Sequence, residues 1–362
     1  MAAATQYYVD PFINAASGAG TVGDPYGDLQ HALDTVTIDA TNGDQFNVKA
    51  GTSEILAAAL TLATYGVPIA NAPLVIRGYT AAANDLGIGV IDGNGSLAIY
   101  ATATTDYVTV IDMRLTNCGS ATIWTMDNGL TMRNVEIDTT TGSGVVADQG
   151  MILGCHFHNI GGVGCQVGTG LVQGNFFKNG TNDFSAAISQ ASEQVIGNII
   201  SVDGTSNGIT FAGNGTIGAI VGNSIWSNAG TGKGITNSGG SRELLGLFNN
   251  IVAGFSGVGG IGIEIATGHV VHTYGHNGLY QNTTPKSIVG DIYDDLGNDI
   301  DPFASDPFTD AANDDFTVST VAKALGYGNF LGASTNQFVD IGAAQREEPA
   351  GGGGGGASII GG

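Results

Sequence analysis

The sequence predicts an all-β solenoid of short parallel strands, and three observations predict it. A phrase of the type "IGNII" returns every 20–27 residues through the middle of the chain. The apolar segments that it joins are three to five residues long and β-branched, with no helical period of 3.6 between them. Glycine supplies 60 of 362 residues, about 17%, where about 7% is usual, while proline is scarce and no Gly-x-y period runs through the chain. Many tight turns between short apolar segments account for that excess, and an apolar content of 42% is enough for a core.

Aligned on itself, the phrase becomes a ladder. "MRNVEI" carries Asn134, "LGCHFHNI" has Cys155 at the matching place, and "QGNFF" carries Asn175. "IGNII", "VGNSIW", "FNNIV" and "GHNGLY" follow with Asn198, Asn223, Asn250 and Asn277, at gaps of 21, 20, 23, 25, 27 and 27 residues. "VIDMRL" around Asp112 and "GVIDGNG" around Asp92 read as two earlier turns. Such periods signal a solenoid or a propeller, but a propeller blade needs about 40 residues and a leucine-rich repeat needs a leucine skeleton. A parallel β-helix fits. Asn at its corners tolerates a left-handed backbone, and its amide can bond the Asn one turn away. The repeat is therefore read as scaffold, with loops of drifting length on one side as the place for function.

An open solenoid exposes backbone and core at its ends, so both must be capped. In "DPYGDLQHALDTV", Asp24 stands before Pro25 and Leu29, Ala32, Leu33 and Val36 share one face, which predicts a short amphipathic helix plugging the first turn. The segments "YYVDP…SGAGTVGDPYGDLQHAL", "DQFNVKAGT" and "PLVIRGYT…DLGIGVIDGNG" resemble the opening of right-handed parallel β-helix proteins of the pectate-lyase-like superfamily. "DPFTDAANDDFTVS…ALGYG…FVDIGAAQ" resembles their closing segment, so the resemblance covers about residues 7–346. It implies a right-handed parallel β-helix and leaves function open, because that superfamily holds lyases, hydrolases, phage tailspikes and inert structural parts. The expected organisation is a strand and capping helix over 1–45, the β-helix over 46–290, an Asp-rich cap over 291–346 and a Gly-rich tail over 347–362. That tail, "REEPAGGGGGGASIIGG", joins a flexible tether to a small apolar tip, Ala357, Ser358, Ile359 and Ile360. It resembles tails of bacteriophage structural proteins that dock onto a particle.

Ten basic residues against 32 acidic ones give a net charge of −22, which repels phosphate backbones and anionic lipid. Nucleic acid and membrane are therefore not expected partners. Cys118, Cys155 and Cys165 form no disulfide framework, and "MAAATQYYVDPF" reads as no signal peptide. The uncharged stretch 55–76 is Ala-rich and interrupted by Pro68 and Pro73, so it is not read as a membrane span.

"GAGTVG" and the "GTSNG" around Ser206 match dinucleotide and nucleophile-elbow patterns, but the ladder denies both the strand–helix context that they need. His156 and His158 point to one face of a strand, and His269, His272 and His276 lie close in sequence. Without a carboxylate or thiolate converging on them, all five read as surface or loop histidines. The turns 139–290 hold six acids, and among them Asp183 and Asp203 form only a loose vertical pair for glycoside hydrolysis. The best enzymatic constellation is Arg114 and Arg133 with Asp112, Glu136 and Asp138, an arrangement in which a lyase would use Arg as base. The same residues read equally as an exposed ion-pair ladder, which is the reading preferred. Nine Asp fall within 291–315; a solvated loop is expected there, with Ca²⁺ as the one cofactor to consider and no other metal.

The function expected from the sequence is a non-enzymatic virion component of a bacteriophage: a decoration, fibre or other appendage located on the virion. Its partners would be other virion proteins or further copies of itself, a trimer among them, with a surface glycan as a further ligand. The alternatives are a polysaccharide lyase or tailspike-like depolymerase, and a glycan-binding adhesin.

Overall fold

The structure is a computed structural model that describes residues 4–318, apart from 14–17, 63–65, 102–104, 191–193, 213–214, 239–240, 298, 302 and 304. The tail, with Ala357, Ser358, Ile359 and Ile360, and the cap beyond residue 318 lie outside the described residues. The fold is an all-β solenoid of parallel strands. Two compact units divide the chain: Met1–Leu171 with Lys178–Ser185, and Val172–Phe177 with Ala186–Gly362.

In the first unit Thr5–Val9, Asp44–Lys49, Leu74–Tyr79, Thr105–Thr116, Asn128–Thr140 and Val145–Leu153 pair in parallel, each with the next. Alternate side chains point inward, so register alone stacks like on like. Phe46, Ile76, Val110, Met132 and Ile152 form one buried column, and Ile91, Leu115, Ile137 and Phe157 form a second. A third holds Tyr100 and Trp124, their rings stacked at 4.8 Å. The chain turns between columns at left-handed residues, Asp112 (φ 54), Asn134 (φ 51) and Gly154 (φ 61).

The capping helix is present but starts later than the sequence suggested. It spans Leu29–Thr35, and the carboxylate of Asp28 caps it by accepting the His31 N–H at 2.6 Å. Asp24 instead closes a turn, accepting the Ala19 N–H at 3.1 Å, and so is not free to cap. Leu29, Ala32, Leu33 and Val36 are buried, the face that the pattern predicted. Beside this helix, the exposed edge of Thr5–Val9 is covered: the Tyr8 N–H donates to Gly20 O and the Tyr26 N–H donates to Tyr8 O.

The second unit repeats the plan. Ile188, Ile209, Ile235 and Ile263 stack in one inward column, Val195, Ile220, Leu247 and Tyr274 in another, and Ile200, Ile225, Val252 and Leu279 in the third. Its corners are left-handed at Gly174, Gly197, Gly222, Asn249 and His276. The residue after each is Asn175, Asn198, Asn223, Asn250 and Asn277, all buried. Each of the first four donates its backbone N–H and its side-chain Nδ2 to the Oδ1 of the next, at 2.9–3.2 Å. At Asn277 the acceptor is a carboxylate instead of an amide: Asp299 accepts its N–H at 2.8 Å. The other Asp299 oxygen takes the Tyr274 hydroxyl at 2.6 Å and Lys286 Nζ at 3.2 Å.

Asn134 does not occupy that ladder position. It is itself a left-handed corner, exposed, and its amide donates to Asp112 Oδ1 at 2.8 Å. The strand register pairs His156 with Glu136 and thus Cys155 with Val135, one place on from Asn134. Asp92 is likewise displaced, pairing with Thr116 and not with Asp112.

The Asp-rich run is not simply a solvated loop. Phe303, Phe308, Ala311 and Phe316 are buried against Ile251 and Ala253, with Phe176, Trp226, Tyr280 and Ile300 packed beside them. Ile300 and Phe303 also protect the edge of Gly278–Tyr280, through Leu279 N–H to Ile300 O at 2.8 Å and Phe303 N–H to Leu279 O at 2.9 Å. Acidic residues alternate here with aromatic ones that bury, each worth roughly 1.5–3 kcal/mol of burial.

Candidate functional site

Three outward-facing positions on successive turns of the first unit bring charged side chains together. Leu115, Ile137 and Phe157 point into the core, so their neighbours point out. Register then places Arg114 beside Glu136 and Glu136 beside His156, and it places Asp138 beside His158. The sequence reading held the carboxylates and the histidines apart; the stack unites them.

Asp138 is the hub and is buried. Arg114 Nη2 meets its Oδ2 at 2.6 Å, and its Oδ1 accepts from Thr139 Oγ1 at 2.7 Å and Asn159 Nδ2 at 3.0 Å. His158 lies between the two acids, with Nε2 2.9 Å from Glu136 Oε1 and Nδ1 3.2 Å from Asp138 Oδ1. Arg114 Nε reaches Glu136 at 3.5 Å. Burial pushes the Asp138 carboxyl up, but the bonds from Thr139, Arg114 and Asn159 outweigh it and hold it below the ordinary range. The hydrogen bond to Asp138 pushes the Arg114 guanidinium above its ordinary value. The His156 ring stands 4.7 Å from that of His158, and burial, then the neighbouring imidazole, push its pKa down.

Asp112 and Arg133, the other members of the expected constellation, stand elsewhere. Asp112 is a buried corner whose Oδ2 takes Arg77 Nε at 3.0 Å and Nη2 at 2.9 Å, while its Oδ1 takes Asn134. Arg133 is exposed, in the column of Ile111 and Leu153 and not in that of Arg114. The five residues therefore do not converge.

His269 is a loop residue, as expected, but a buried one, with its ring 6.0 Å from Phe211 just ahead of Val270–Gly275. His272 lies 3.4 Å from Glu243, and His276 forms a corner. Asp183 belongs to the first unit and Asp203 to the second. Glu264 binds Lys233 Nζ and the Thr236 hydroxyl. In the run 291–315, Asp295 and Asp306 close local turns on Gly297 and Phe308 N–H groups, Asp310 takes the Asn313 amide, and Asp299 ends the Asn ladder. Ser206 is buried in its turn. No helix among the described residues is long and apolar enough to cross a membrane.

Chemically, the cluster binds charge better than it moves protons. A lyase base must give up its own proton to receive another, and Asp138 shifts Arg114 the opposite way. Glu136 and Asp138 share one imidazole instead of flanking an open groove, as glycosidase carboxylates do.

No family model matches the chain, and no curated protein matches it. Among solved structures, the crystal structure of pectate lyase Pel9A is similar, with a TM-score of 0.50 and 14% identity over 96% of this chain and 98% of that one. At that identity the likeness concerns the fold.

Proposed function

We propose that this chain is a non-enzymatic structural component of a bacteriophage particle, a decoration, fibre or other appendage, attached through its Gly-rich tail. The observation that carries the non-enzymatic reading is that Arg114, the best-placed candidate base, is committed to Asp138 at 2.6 Å and shifted away from proton abstraction. The phage reading rests on the sequence of the tail, a tether ending in an apolar tip of the kind that docks by strand addition. Fold-level likeness to a pectate lyase supports polysaccharide cleavage as the competing reading.

Two measurements separate them. The purified chain, incubated with polygalacturonate and Ca²⁺, is expected to release no unsaturated uronate above the buffer rate, and neither Arg114→Ala nor Arg133→Ala is expected to change that. Release that falls about 100-fold in either variant would establish the lyase. Second, cryo-electron microscopy of native particles is expected to show solenoids at fixed symmetric positions, and deletion of Glu347–Gly362 is expected to abolish their incorporation. Normal incorporation of the truncated chain would refute tail docking.

A further inference from the structure

We infer that Glu136, Asp138 and His158 form a binding site for one divalent transition-metal ion of the zinc type. Each offers one ligand atom, and those atoms lie within 4.8 Å of one another. This inference is independent of the reading above, since an inert solenoid and a lyase can both carry such an ion.

The donor set selects the ion. Imidazole with carboxylates suits Zn²⁺, Ni²⁺ or Mn²⁺, whereas Ca²⁺ takes oxygen ligands alone. His158 Nε2 lies 2.9 Å from Glu136 Oε1. Ligand atoms on a tetrahedral ion with bonds of about 2.0–2.1 Å stand roughly 3.3 Å apart, so the ion needs the Glu136–His158 pair to open by a few tenths of an ångström and the Asp138 carboxylate to swing from the Nδ1 edge of the ring toward Nε2. The positions are set by backbone register, because Asp138 and His158 are direct partners on adjacent strands. Asn159 Nδ2 and Thr139 Oγ1 both donate to Asp138 Oδ1 and fix the carboxylate, as outer partners of ligating carboxylates do. A second imidazole, His156, stands beside the first with ring centroids 4.7 Å apart, a further nitrogen at the rim of the site.

Arg114 is the natural competitor. Its guanidinium lies 2.6 Å from Asp138 and 3.5 Å from Glu136, where it supplies part of the positive charge that an ion would bring. It brings one positive charge to a site with two carboxylates. The ion and the guanidinium therefore oppose each other, and this predicts opposite signs for two substitutions. Removing the imidazole weakens the metal; removing the guanidinium tightens it.

The test uses the untagged full chain, stripped with chelator and titrated with Zn²⁺ by calorimetry and with Co²⁺ by visible absorption. One saturable equivalent is expected, with Ca²⁺ unable to displace it. His158→Ala is expected to bind about tenfold or more weaker, Arg114→Gln about threefold or more tighter, and His272→Ala as the wild type does. Binding that does not saturate, or that His158→Ala leaves unchanged, overturns the inference, as does weaker binding in a folded Arg114→Gln. Should His158→Ala fail to fold, Ni²⁺ added to the wild-type chain decides by magnetic resonance. Broadening of the His158 ring first supports the site; broadening of His31 or His272 first overturns it.

Discussion

Asn223→Ala is expected to cost the second unit about 3–5 kcal/mol, the scale set by several buried polar groups losing their partners at once. Asn223 Oδ1 accepts both the backbone N–H and the amide of Asn198, at 2.9 and 3.0 Å. Its own amide donates to Asn250 Oδ1 at 2.9 Å and to Val195 O at 3.0 Å. Alanine replaces none of these, and the residue is fully buried, so water cannot stand in. Each orphaned group costs about 1–3 kcal/mol, less whatever the turn recovers by relaxing. Because a solenoid is a sum of neighbouring turns, the loss should be local. Amide exchange reads it directly: the Asn198 N–H should lose roughly a hundredfold or more of protection, while the Met132 N–H in the first unit changes little. Asn134→Ala, at an exposed left-handed corner with one bond to Asp112, should cost about 1–2 kcal/mol, mostly as backbone strain. Equal losses at the two positions would show that the stacked amides add nothing beyond an ordinary turn.

That contrast also marks how far the sequence could be read. Recurrence of Asn after an apolar pair revealed the solenoid, because a buried amide column is a demand that one letter can display. It could not reveal that Asn134 stands one place early. A left-handed corner accepts Asn as readily as Gly, and Asn134 at φ 51 does what Gly174 does at φ 65. The ladder position and the corner are adjacent, so a family of short phrases aligns either way. The same slip hid the charged cluster. Glu136 to His156 and Asp138 to His158 are each 20 residues, as are the corners Asn134 to Gly154, so the true turn length stacks them at once. Asp299 as terminator of the amide column was illegible for a different reason. Its partner Asn277 is 22 residues away, but its letter differs from the repeat, lies among eight others like it, and directly follows a Gly-Asn pair that reads as the repeat's own phrase. Burial of Phe303, Phe308 and Phe316 within that acidic run depends on a flank of the solenoid that no local pattern encodes.

The second large effect concerns acid–base linkage at the N-terminal cap. Glu54 is buried at 4% exposure, and its carboxyl accepts the Leu29 N–H at 3.4 Å where the capping helix begins. Burial, then the nearby Asp28 carboxylate, pushes its pKa from the ordinary 4.5 up to about 7. A carboxyl whose pKa rises on folding holds its proton more tightly in the native state, so ionisation opposes folding. The penalty is absent below the unfolded value near 4.5, grows through the window between, and is complete above about 7. The first unit should therefore lose stability as pH rises from 5 to 8, opposite to the usual gain from a paired acid. Glu54→Gln keeps an oxygen for Leu29 N–H and a donor toward Asp28 but cannot ionise. It is expected to stabilise by under about 1 kcal/mol at pH 5 and by about 3 kcal/mol at pH 8, since each pKa unit corresponds to about 1.4 kcal/mol. Thermal melts of the two proteins at both pH values decide it. A gain of the same size at pH 5 would mean that the glutamine packs better and that no buried ionisation is involved. No gain at either pH would mean that water reaches Glu54 and relieves the charge. The sense of the slope also separates this site from Asp138, held below the ordinary carboxylate range by Thr139, Arg114 and Asn159, whose contribution is present at neutral pH and lost on acidification. A first unit that weakens in both directions from about pH 4–4.5 would report both carboxylates at once.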